Sequence, residues 1–64
     1  MKDYGGVVRA CRKYRHITQT TLSKLTGISQ ETISNYESGK KIMRMDVFEK
    51  LMDAMDFEIG IKEK

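Results

Sequence analysis

Residues 18–40, TQTTLSKLTGISQETISNYESGK, decide how the rest of the chain folds. Thr18 can accept a hydrogen bond from a free backbone N–H one turn on, the role of an N-cap, and Leu22 and Leu25, three residues apart, are expected on one helical face. Gly27 stops that helix, because a turn this sharp wants a left-handed residue and glycine takes that conformation without steric cost. Ile28 then plugs the corner, and Ser29 offers a second capping hydroxyl before Gln30, Glu31, Thr32, Ile33, Ser34, Asn35 and Tyr36 continue as another helix. Ile33 and Tyr36 form its inward side. Gln30, Glu31, Ser34 and Asn35 are left outward, with short or amide-bearing side chains suited to hydrogen bonds on a flat target. A surface helix with no task would more often carry Lys and Glu pairs there.

Two short helices around a tight turn, the second with a polar outer face, make a helix-turn-helix pattern. Arg12, Thr18, Gln19, Leu22, Gly27, Ile28, Ser29, Ile33, Glu37 and Gly39 stand in the order R-x5-TQ-x2-L-x4-GIS-x3-I-x3-E-x-G. In this run the chain resembles the lambda-repressor-like helix-turn-helix family, the XRE group of bacterial and phage regulators, from about residue 5 to 56. The resemblance implies an all-α fold of four helices. It also implies an ion pair between Arg12 and Glu37, tying the first helix to the end of the third; a guanidinium suits this because it can make two parallel bonds to one carboxylate. Ser23 departs from the alanine usual in the family, but is still small enough for close helix approach.

Sixty-four residues make one domain near the lower limit of independent folding, with no room for a second. The single cysteine, Cys11, excludes an intramolecular disulfide and a cysteine zinc site, and makes a reducing cytoplasm the natural compartment. The opening MKDYGG lacks the apolar stretch and cleavage site of a signal peptide, and no apolar run approaches the ~18 residues of a membrane span. No membrane partner, metal or cofactor is expected. Nor is an enzyme: there is no His, Cys or Asp cluster and no phosphate-cradling glycine loop, and the chain is too short for a water-excluding cleft.

The formal charge of +3 is unevenly spread. Residues 1–44 hold nine Lys or Arg against three acids, a balance of +6, whereas residues 45–64 hold three lysines against six acids, a balance of −3. Arg9, Arg12, Lys13, Arg15, Lys24, Lys40, Lys41 and Arg44 all lie in the first part, the electrostatic footprint of a protein that docks on phosphates. The plainer alternative is a solvated basic surface, but its coincidence with the helix-turn-helix favours the DNA reading.

A first helix is expected from Tyr4 or Gly5 to Tyr14, with Val8, Cys11 and Arg12 on one stripe and Tyr4 and Val7 at its edges. Cys11 reads as a small buried hydrophobe rather than a reactive thiol. His16 is a loop residue, and Ile17 staples the chain onto the core just before Thr18. After Gly39 comes KKIMRM, where the family usually has a proline and a Ser or Thr cap; Met43 and Arg44 take those places, so the fourth helix starts poorly capped. Met45, Phe48, Leu51, Met52 and Met55 recur at three and four and form its apolar face. At that spacing the methionines are core filler, not ligands.

The domain ends at residue 56, and the tail, 57–64, differs in kind. Phe57, Ile59 and Ile61 alternate with Glu58, Gly60 and Lys62, the period of a short β-strand. A lone strand needs a partner, and a second copy of the chain is the economical source. Met55, Phe57, Ile59 and Ile61 are therefore the expected dimerisation residues. The tail also resembles the C-terminal strand of the antitoxin branch, which raises a toxin or other protein as an alternative main partner. A frayed terminus is the simpler alternative.

The family resemblance places the third helix in the major groove of double-stranded DNA, where glutamine and asparagine can pair with adenine and glutamate can accept from cytosine. Gln30, Glu31 and Asn35 are the expected base contacts, with Thr32 and Ser34 beside them. Thr18, Gln19 and Ser29 at the helix starts, and Lys40, Lys41 and Arg44 beyond the third helix, are the expected phosphate contacts. The function that follows is a homodimeric repressor reading a palindromic operator.

Overall fold

In the computed structural model, which describes residues 3–57, the chain forms four helices: α1 (Tyr4–Tyr14), α2 (Gln19–Thr26), α3 (Gln30–Ser38) and α4 (Met45–Ala54). There is no strand among the described residues. The strand expected at the C-terminus, including Ile59 and Ile61, lies outside them.

Short polar side chains start three of the helices. Asp3 Oδ1 accepts from the Gly6 N–H at 2.9 Å, Thr18 Oγ1 from Thr21 N–H at 3.1 Å and Ser29 Oγ from Thr32 N–H at 3.2 Å. Arg44, at the head of α4, makes no side-chain cap, as its substitution for a Ser or Thr foretold. Gly27, at φ 79°, closes α2 in the left-handed conformation expected of it.

The other three helices end alike. The residue after the final turn goes left-handed, at His16 (φ 60°), Gly39 (φ 84°) and Asp56 (φ 63°). The next N–H then reaches back to a carbonyl five residues earlier: Ile17 to Arg12 at 3.1 Å, Lys40 to Asn35 at 2.9 Å and Phe57 to Met52 at 2.9 Å. These are Schellman closures, which satisfy the last helical carbonyls. His16 and Asp56 accomplish with a Cβ what Gly39 does without one.

Val8, Leu22, Ile33 and Leu51 are completely buried at the centre, one from each helix. Tyr36, Met43, Phe48, Met52 and Met55 surround them, and Tyr4 stacks on Phe48 with ring centroids 4.5 Å apart. Ile17, Ile28 and Cys11 pack against this core from its edge.

Three expectations need correction. Leu25 does not share the buried face of Leu22 but is 58% exposed. At 100° per residue the four-residue step serves this inward side better than the three-residue one, and Thr26 is buried in its stead. Thr26 tolerates this because its hydroxyl donates to Leu22 O at 2.9 Å and accepts from Ile28 N–H at 3.2 Å. Val7, placed at the edge of the α1 stripe, is 42% exposed. In the approach to α4, Met43 fills the core while Met45, expected on its apolar face, stands 38% exposed. The extended residue ahead of the helix points inward before the helical period begins.

Candidate nucleic-acid interface

The outward face of α3 follows from its geometry. One residue per 100° puts Gln30, Glu31, Ser34, Asn35 and Ser38 on one side, with Ile33 and Tyr36 buried opposite. Gln30 and Glu31 are exposed, and Ser34 and Asn35 half-buried. Thr32 falls outside this face. Its hydroxyl accepts from Ser29 Oγ at 2.8 Å, so the two hydroxyls lie together in the first turn of α3.

Beneath the motif lies a cluster of charge. Arg12 Nε donates to Glu37 Oε2 at 2.8 Å and Arg12 Nη2 to Glu37 Oε1 at 3.0 Å, the two-pronged pairing that the resemblance implied. Arg12 Nη1 also donates to Ile17 O at 3.0 Å, and Gln19 Nε2 donates to Glu37 Oε1 at 3.1 Å. The Glu37 side chain is only 4% exposed. Burial pushes its carboxyl pKa up, but the bonds from Arg12 and Gln19 and the charges of Arg12 and Arg9 outweigh it and hold the group below its ordinary value. Arg12 is raised, chiefly by its bond to Glu37.

The cluster has a functional consequence for Gln19, the first residue of α2. One hydrogen of its amide nitrogen goes to Glu37, and the other remains to donate to a partner at the start of α2. Gln19 and Glu37, with Arg9, Ser34 and Ser38, line a polar notch of about 260 Å³ where α1, α2 and α3 meet. Arg9 and Ser38 were not among the expected contact residues. For Ser38 the signal was available, since it continues the outward period of α3 by one turn.

The basic residues divide into two groups. Lys40 and Lys41 follow α3 and are exposed, with the Lys41 ammonium 5.8 Å from the Tyr36 ring centre. Arg44 is also exposed and meets Asp46 at 3.3 Å, a pairing so open to water that it leaves the guanidinium available. Arg12 and Arg15, by contrast, are spent within the fold. Arg15 Nε donates to Met55 O and Nη2 to Asp56 O, both at 3.0 Å, while its guanidinium lies 4.3 Å from the Phe57 ring centre. It fastens the end of α4 to α1. Cys11 sits half-buried close by; burial raises its thiol pKa and the charge of Arg15 opposes this.

Of the expected dimerisation residues, Met55 is 3% exposed within its own chain and Phe57 is half-buried beneath Arg15. Met55 thus belongs to the core of a single copy.

Four short helices, with a capped pair around Gly27 and a polar third helix, define a helix-turn-helix protein. The sequence profile of a helix-turn-helix family, of the XRE type, matches residues 8–61, and the chain belongs to this family of DNA-binding transcription regulators. Searches of curated proteins and of solved structures find no match. No helix among the described residues is long and apolar enough to cross a membrane.

Proposed function

We propose that this chain is a sequence-specific repressor that binds a palindromic operator as a homodimer, with α3 in the major groove. The observation that carries the reading is the outward face of α3: Gln30, Glu31, Ser34 and Asn35 occupy it while Ile33 and Tyr36 are buried on the opposite side. A helix kept in place by two buried residues, the pairing of Glu37 with Arg12 and two caps is free to offer its outward surface. Gln30, Glu31 and Asn35 contact base edges, and Ser34 packs at the groove wall. The start of α2 with Thr18 and Gln19, the Ser29 turn, and Lys40, Lys41 and Arg44 hold phosphates.

A two-fold dimer would set two α3 helices about 34 Å apart, one turn of the duplex. The tail beyond Met55 is the proposed source of the pairing, through Phe57, Ile59 and Ile61. The rival reading, an antitoxin-type module whose main partner is a protein, gains nothing from the family match.

Selection of bound fragments from a random duplex pool tests the proposal. An enriched site with two inverted halves, together with a molar mass of two chains, is the expected result. Folded protein that retains no duplex at low salt refutes it.

A further inference from the structure

Arg15 bonds the chain just beyond α4 rather than α4 itself. The helix end is closed without it: the Met55 N–H reaches Leu51 O at 3.3 Å and the Phe57 N–H reaches Met52 O at 2.9 Å. What Arg15 holds are the two peptide planes that meet at Asp56, through Met55 O from Nε and Asp56 O from Nη2, both at 3.0 Å. The same guanidinium lies 4.3 Å from the centre of the Phe57 ring, which is 6.0 Å from that of Tyr14. A guanidinium is a rigid planar fork, so two bonds from one group fix these planes relative to each other, and with them the left-handed Asp56 at φ 63°. The direction in which the chain passes Phe57 is set by these contacts.

That direction is tied to α3. Arg15 is the C-cap of α1, its N–H bonded to Cys11 O at 3.0 Å. Three residues earlier on the same helix stands Arg12, whose guanidinium holds Glu37 near the end of α3. From α3 to the point where the chain leaves α4, the path therefore runs through paired side chains and one helix, with no free loop in it.

We propose that Arg15 is a positioning residue that sets the separation of the two α3 helices in the dimer, and so makes the protein selective for the spacing of its operator halves. This rests on the pairing through the tail proposed above. Residues 58–64 lie outside the described ones, and Arg15 acts at the point where the chain enters them. The physical reason is linkage. Two reading heads joined rigidly engage both halves at one separation, where their effective concentration for each other is highest; joined flexibly, they accept many separations with a lower peak. Each added base pair moves one half by about 3.4 Å and turns it by about 35°, so only a stiff joint makes spacing a strict criterion.

The test takes wild type, Arg15→Met and Arg15→Lys, each checked for folding by circular dichroism and for molar mass in solution. Wild type selects an operator from a random duplex pool. All three are then titrated onto that operator, onto copies with two base pairs added or removed between the halves, and onto a single half. Wild type should lose at least about tenfold in affinity on either altered spacing, and both variants about threefold or less. Affinity for the single half should be the same in all three, whereas a general loosening of the fold or a lost phosphate contact would lower it in the variants and overturn the inference. Lysine keeps the charge but not the fork, so Arg15→Lys with wild-type sharpness refutes the proposal, as does an equally sharp Arg15→Met. If Arg15→Met does not fold, Arg15→Lys carries the comparison. A dimeric wild type that tolerates the altered spacings overturns the inference while the dimeric reading stands. Variants that lose the dimer also overturn it, because Arg15 then holds the pairing and not its direction. A wild type that is a single chain in solution and on DNA removes the tail-paired dimer, and the inference goes with it.

Discussion

Arg12 and Glu37, 25 residues apart, meet through two parallel hydrogen bonds of 2.8 and 3.0 Å, with the Glu37 side chain almost wholly buried. The pair joins α1 to the end of α3, and through Gln19 it also reaches the start of α2. Removing one partner strands the other: Arg12→Met or Glu37→Ala should cost about 3 kcal/mol, measured by urea unfolding. Replacing both by apolar residues should cost less than either single change.

The pair also gives stability a pH dependence. Glu37 is held below its ordinary value of 4.5 in the folded state, so the unfolded chain takes up the proton first as pH falls. The stability gap between wild type and Glu37→Gln should be flat above about pH 5.5 and shrink through and below that ordinary value. A gap that widened in acid would mean that burial, not pairing, governs the carboxylate.

Gly5 marks where α1 crosses α3, and a Cβ built there would overlap the Tyr36 carbonyl oxygen. Backbone cannot swing aside as a side chain does. Gly5→Ala should therefore destabilise by about 1–3 kcal/mol despite the better helix propensity of alanine, measured as a fall in the unfolding midpoint.

His16 and Asp56 close α1 and α4 in the left-handed region, where a side chain is strained and glycine is not. His16→Gly should raise stability by up to about 1 kcal/mol in thermal unfolding. Asp56→Gly should do the same, and the two should add, because they end different helices.

Gln30→Ala and Asn35→Ala should each weaken binding to the selected operator by about 1–3 kcal/mol and leave random duplex nearly unaffected, in parallel titrations. An equal loss on both DNAs would remove α3 from the role of reader.

Lys40→Ala should behave oppositely. It should weaken all sequences alike and lower the slope of log affinity against log salt by about one ion. Arg15→Ala, although also a lost positive charge, should leave that slope nearly unchanged, because the guanidinium already serves the carbonyls of Met55 and Asp56.

Caps, periods and stops were legible in the chain because each is a local matter. Thr18 and Ser29 each bond a backbone N–H three residues on, and Gly27 needs only its own torsion to be left-handed. The errors fell where the choice depended on what lies opposite. Leu25 and Thr26 compete for one inward place, and only the position of α3 and α4 beside α2 awards it to the smaller, polar residue. Met43 and Met45 compete in the same way ahead of α4.

By itself, the sequence determined the helices, the turn at Gly27 and the polar outer face of α3, since these follow from side-chain chemistry within a few residues. Only the tertiary structure decided which basic residues are free. Charge counts Arg12, Arg15, Lys40 and Lys41 as equals, yet the fold buries the first against Glu37, turns the second onto the end of α4 and leaves the two lysines in water. The same holds for Thr20 and Gln30, which come within 3.1 Å only once α2 and α3 have packed across the turn. A hydrogen bond between distant residues has no local signature; it is set by where the helices come to rest.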